Sequence, residues 1–242
     1  MAHETLNRLE LLAEVPLIEP PRRPCCQARQ HPEAARHIKG NEARLEQMEC
    51  QQNVIVVTGG PGGGKTTALD LFQRELKSSV KIVPEAATML FGHGLDREPR
   101  HEDGRLLQRS IYRMQTSLEG IFREFYADRL LICDRGTLDG LAYWPDDEQS
   151  FLSSLDTTFE TEVARYNAVI FFQTAAIHGE DVKSNNPYRT EDSRTAVALD
   201  EKLQHVWSRH PNFHFIPAEL SFIAKINHGL KTIAGVLEEM RP

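Results

Sequence analysis

The chain has 242 residues, 40% apolar and 26% charged, with a net charge of −7 at neutral pH. This is the profile of a globular protein with room for one large α/β domain and a tail, and its acidic balance argues against an extended nucleic-acid-binding face, which needs clustered cations. No apolar run approaches the length of a membrane span, and residues 1–13 mix Glu and Arg with Leu instead of forming the unbroken apolar core of a signal peptide.

Residues 1–50 differ in character from the rest of the chain. Residues 6–15 could form a short amphipathic helix, but Pro16, Pro20, Pro21 and Pro24 then break regular structure, and Arg22, Arg23, Arg29 and Arg36 add a mildly basic stretch. A poorly ordered N-terminal extension is expected here, ahead of a nucleotide-binding domain over residues 51–242. Met48 lies just before the first strand and is a candidate internal start. The four cysteines (Cys25, Cys26, Cys50, Cys133) form no CxxC pattern, so a reduced, cytoplasmic chain is expected.

Residues 54–58 are apolar almost throughout, as suits a central parallel strand covered on both faces. They run into a glycine-rich turn in which Gly59, four further residues, Gly64, Lys65 and Thr66 fit the P-loop pattern GxxxxGK[ST], in the strand–loop–helix context that confirms it. The chemistry needs these residue types. Gly59, Gly60, Pro61, Gly62, Gly63 and Gly64 would let backbone N–H groups close around a phosphate chain, and the helix starting near Lys65 would point its positive end at the same phosphates. Lys65 would reach the β- and γ-phosphates, the Thr66 hydroxyl would ligate Mg²⁺ and Thr67 would contact the α-phosphate.

The remaining elements alternate. A helix is expected over 65–76, a strand over 80–83, a long amphipathic helix over 105–127, a strand over 130–133, a polar segment, a helix around 151–165 and a strand over 168–173. A loop over 175–191 comes next, then a helix over 193–208, a strand over 212–216 and a last helix over 222–240. This order implies an α/β doubly wound sheet of five parallel strands with helices on both faces, and ligands at the carboxyl ends of the strands.

Three groups fall at those ends. Asp134 closes the apolar run 130–133 in the Walker-B manner and would hold Mg²⁺ with Thr66; capping the next helix is its structural alternative. Arg135 beside it could contact phosphate or substrate, and Asp139 is expected to be structural or substrate-facing. Glu85 ends the second strand, where a carboxylate could take a proton from an acceptor hydroxyl or merely favour a helix start. Arg189 and Arg194 lie beyond the fourth strand and could close over the transferring phosphate as a lid, or simply be solvated. The histidines show no metal-binding spacing. Trp144 and Trp207 are expected in the core or at its rim.

The blocks GGPGGGKTTALDLFQREL, VPEAATMLFGHG, LICDRGTLDGLAYWP, RYNAVIFFQTAA and NNPYRTEDSRTAVALDEKLQHVW, over about residues 53–216, resemble the NadR/TRPL-translocation-defect type AAA domain family. These are P-loop proteins related to nucleoside and nucleotide kinases; the family includes the ribosylnicotinamide kinase domain of NadR and a eukaryotic member that binds GTP and phosphatidic acid. The resemblance implies binding of ATP or GTP with Mg²⁺. By analogy with nucleoside kinases, Glu85 and Asp134-Arg135 match the carboxylate after the second strand and the acidic–Arg pair after the third, while Arg189 and Arg194 match lid arginines more loosely. Gly136 stands where deoxynucleoside kinases typically carry serine, which departs from their substrate pattern.

Two functions are compatible with these residues. The leading one is a kinase passing the γ-phosphate to a nucleoside- or nucleotide-like small molecule, with Lys65, Glu85, Asp134 and Arg189 as its catalytic groups. The other is a nucleotide-dependent switch with slow hydrolysis. No NKxD guanine-reading motif is visible, which favours ATP over GTP.

Overall fold

The computed structural model describes residues 53–95, 101–179 and 192–239; the expected N-terminal extension and Arg189 lie outside them. Five strands, β1 (Val54–Thr58), β2 (Val80–Val83), β3 (Leu130–Asp134), β4 (Ala168–Phe172) and β5 (Phe213–Ile216), form one all-parallel sheet in the order β2-β3-β1-β4-β5. β1 is central, with Val57 in register with Asp134 on one side and Ile170 on the other. β1, β3 and β4 are buried along their whole length. Such strands read as continuous apolar runs because helices cover both of their faces.

Successive β1 side chains feed two different cores. Val54 and Val56 join the layer holding α4 (Glu148–Leu155), α5 (Phe159–Val163) and α6 (Ser193–Trp207), with Leu118 and Phe122 of α3 (His101–Phe125) packed against it. Ile55 and Val57 join the layer under α1 (Lys65–Leu76) and α7 (Phe222–Glu239), where Phe72 is fully buried. Burying a side chain of that size contributes about 1.5–3 kcal/mol. This is the expected doubly wound architecture. No described helix is long and apolar enough to cross a membrane.

Three local expectations need correction. The helix expected around 151–165 is two helices, because Asp156 turns left-handed (φ 55°) and Thr158 starts α5 by accepting from the Thr161 amide. The polar segment after Gly136 is a 3-10 helix, Thr137–Tyr143, whose Thr137, Leu138, Asp139 and Ala142 are buried. The apolar stripe of α3 is only partly covered. Leu107 is buried, but Leu106, Ile121 and Phe125 are exposed, and Gln108, Gln115 and Glu119 face inward instead. The helix is turned this way by polar contacts: Gln115 donates to the Arg135 carbonyl, and Glu119 accepts from Tyr166 (2.8 Å) and Arg165 (2.8 Å). A short helix α2 (Ala86–Gly92) leads from β2 towards α3 and packs on it.

Candidate nucleotide site

The site grows from the end of β1. Gly59 takes φ 130° and passes so close to β4 that a Cβ would sit 2.0 Å from the Phe172 carbonyl oxygen. At Gly60 a Cβ would lie 2.5 Å from Asp200 Oδ1. Any side chain at either position would therefore push the loop off its seat. The loop delivers Lys65 to the first position of α1. That helix start has no capping side chain and no acidic residue in its first turn. Its amides and positive dipole end are thus left to an anion, and the Thr66 and Thr67 side chains at the same end are exposed.

Lys65 is only 2% exposed and lies back on its own loop, with Nζ donating to the carbonyls of Gly59 (2.8 Å) and Gly60 (2.6 Å). The Gly59 carbonyl also accepts from Arg135 Nη1 at 2.8 Å. Arg135 holds a positive φ of 79°, a strained backbone for a side-chain-bearing residue, and several contacts keep it there. Its guanidinium donates to Asp139 Oδ2 at 3.0 Å and to Glu85 Oε1 at 3.3 Å. Burial works against the Arg135 charge, but Tyr143 together with the carboxylates of Asp139, Glu85 and Asp134 outweighs it and holds the group protonated well above its ordinary range.

Glu85 occupies the cap position before α2, yet its side chain caps no helix amide. It reaches Arg135 instead and accepts a hydrogen bond from the Thr88 hydroxyl. It therefore combines a position at the helix start, where the dipole favours a carboxylate, with a direct contact to Arg135. Asp134 is buried at the end of β3, beside Val57 of β1. The structure thus brings Lys65, Arg135 and Glu85 together in one chain of contacts, with Asp134 at the same sheet edge. Arg194 is exposed in the first turn of α6, with no ion pair to a described residue.

Asp139 is structural. It accepts from the Thr58 hydroxyl (2.8 Å), Trp207 Nε1 (2.7 Å) and Arg135, and so ties the P-loop strand, α6 and the 3-10 helix together.

Sequence reasoning missed Asp200. Its Oδ1 accepts from the Gly60 amide at 2.6 Å and the Thr174 amide at 3.0 Å, while the Thr174 hydroxyl donates to the Pro61 carbonyl. Burial raises its pKa against the opposing pull of these amides. A signal was present: Asp200 interrupts the buried stripe Ala196, Leu199, Leu203 of α6. A carboxylate on an apolar face has to find donors there.

A loop fixed by Asp200, a lysine at an uncapped helix start and a carboxylate at the neighbouring strand end suit a nucleotide's phosphates, and Thr66 and Asp134 are the residues that could hold a divalent cation beside them. No curated protein matches the chain. Residues 54–219, well over half of it, match the family model described as AAA domain, and the chain belongs to that family of P-loop NTPase-type domains.

Proposed function

We propose that this protein is a Mg²⁺-dependent phosphotransferase of the NadR type, taking ATP at the P-loop and passing its γ-phosphate to a nucleoside- or nucleotide-like acceptor. The observation that carries this reading is the placement of Glu85. Its carboxylate lies 3.3 Å from Arg135 Nε, and Arg135 bonds the first carbonyl of the P-loop at 2.8 Å. A nucleotide switch needs no carboxylate tethered to its phosphate loop, whereas phosphoryl transfer needs one where the acceptor approaches.

In this mechanism the loop amides and Lys65 hold the phosphates, and Lys65 exchanges the Gly59 and Gly60 carbonyls for phosphate oxygens. Mg²⁺, held by Thr66 and Asp134, supplies charge neutralisation at the phosphates. Glu85, oriented by Arg135, would align the acceptor hydroxyl and take its proton as the acceptor oxygen bonds to the γ-phosphorus and the bond from that phosphorus to the β-phosphate oxygen breaks, ADP leaving with the electron pair. Arg194, in the first turn of α6, together with Arg189 would supply guanidinium charge to the transferring phosphate and shield the transfer from water.

The test measures ADP release with ATP or GTP and Mg²⁺ across a panel of nucleosides, nucleotides and nicotinamide riboside. One acceptor should raise turnover above the basal rate. Glu85→Gln should then lower kcat about 100-fold or more while leaving the nucleotide-induced thermal shift unchanged. Nucleotide binding with no acceptor response would favour the switch instead. Full acceptor-dependent turnover in Glu85→Gln would remove Glu85 from the mechanism.

A further inference from the structure

We propose that the outward face of α3 is where two copies of this chain pair, antiparallel, about a two-fold axis midway between Leu118 and Glu119. This goes beyond the nucleotide chemistry and does not depend on it. The face carries Leu106, Ile121 and Phe125 at 63%, 53% and 72% exposure, large apolar groups on one helix. Scattered single apolar residues on a surface are ordinary, but Ile121 and Phe125 lie one turn apart and form an apolar patch that no described residue covers, with Leu106 exposed further towards the N-terminus of the same helix.

Two further features say what fits there. Gly120 lies inside α3 and a Cβ there would meet nothing within 4 Å, so nothing in the fold itself calls for glycine, the poorest helix former after proline. Glycine at this position leaves room for another backbone to approach closely, and Ser117, one turn earlier, is small and exposed as well. Arg113 and Glu124 are exposed on the same side, and neither makes an ion pair with a described residue. One axis aligns all four positions. It sets Ser117 opposite Gly120 of the second copy at the crossing, and Arg113 opposite Glu124 of the second copy on either side. A two-fold interface repeats each contact, so both ion pairs form at once. Parallel pairing would instead set Arg113 against Arg113. Among the described residues this face sets Arg113 against Glu124 and so shows no basic excess of the kind that would suit an anionic membrane surface.

Sedimentation velocity of the full chain tests this. The wild type should show a concentration-dependent monomer–dimer equilibrium. Arg113→Glu and Glu124→Arg should each raise the dimer dissociation constant about tenfold, because each removes two rim ion pairs and introduces repulsion. The double variant, with both charges exchanged, should restore wild-type association. Ile121→Asp should leave only monomer with an unchanged far-UV spectrum. A chain that stays monomeric at about 100 µM overturns the proposal, as does a dimer that neither single exchange weakens or the double exchange does not restore. A monomer whose Gly120→Cys variant cross-links to residues 1–52 of its own chain would overturn it in favour of that segment as the occupant.

Discussion

Two side chains govern the phosphate loop, and they make different predictions. Lys65 donates to two loop carbonyls, one of which keeps Arg135 as a donor when the lysine is removed. Lys65→Ala should therefore keep the fold, losing about 1 kcal/mol, yet lose MgATP binding by calorimetry; unchanged binding would refute the site. Asp200 is different because it serves two buried amides. Asp200→Ala strands both donors and should cost about 2–5 kcal/mol. Asp200→Asn keeps an oxygen acceptor and removes a charge whose burial raises the pKa. The sign comes from linkage. A raised folded pKa means the fold prefers the neutral acid, so the penalty is absent below the ordinary aspartate value near about 3.9. It grows as pH rises through the folded value and is complete above it. Denaturant titrations from acid to neutral pH should show the wild type losing stability relative to Asp200→Asn across that window, and parallel curves would contradict the buried charge.

At the scale of elements, α7 offers a paired test. Gly229 faces α1, where a Cβ would lie 2.5 Å from Phe72 Cζ, while at Gly235, on the same helix, a Cβ would meet nothing within 4 Å. Gly229→Ala should cost about 1–3 kcal/mol by overpacking, and Gly235→Ala should gain up to about 1 kcal/mol from helix propensity. Equal melting shifts would mean that α7 does not pack against α1 as described. The elements also mark where pattern reading succeeds. α1 falls where expected because a glycine turn starts it, and β2 because Val80, Ile82 and Val83 make a short β-branched run. The two-helix segment at 148–163 was not legible, since its break at Asp156 is one left-handed residue and not a glycine or proline. The rotation of α3 was not legible either. Apolar spacing shows a stripe, but the hydrogen bonds of Gln115 and Glu119 decide which way the helix turns.

For the whole molecule, ligand linkage gives the most direct readout. A nucleotide at a hundred times its dissociation constant should stabilise the protein by about 2.7 kcal/mol, raising Tm by roughly 5–10 °C for a domain of this size. Trp207 is fully buried and bonded to Asp139, which also holds Thr58 and Arg135. Its emission should shift on nucleotide binding, and a Trp207 signal that ignores saturating MgATP would separate this core from the phosphate site.

The sequence by itself determined the strand order of appearance, the phosphate loop and the strand-end positions of Glu85 and Asp134. These are local facts: a glycine pattern, an apolar run and the residue immediately after it. Only the tertiary structure decided that Asp200, well over a hundred residues from Gly60, fastens the loop, that Arg135 ties Glu85 to Gly59, and that α3 leaves part of its apolar stripe outside. The physical reason is that a hydrogen bond between distant segments leaves no periodic trace in either one. It exists once the sheet has brought β1, β3 and α6 to the same edge.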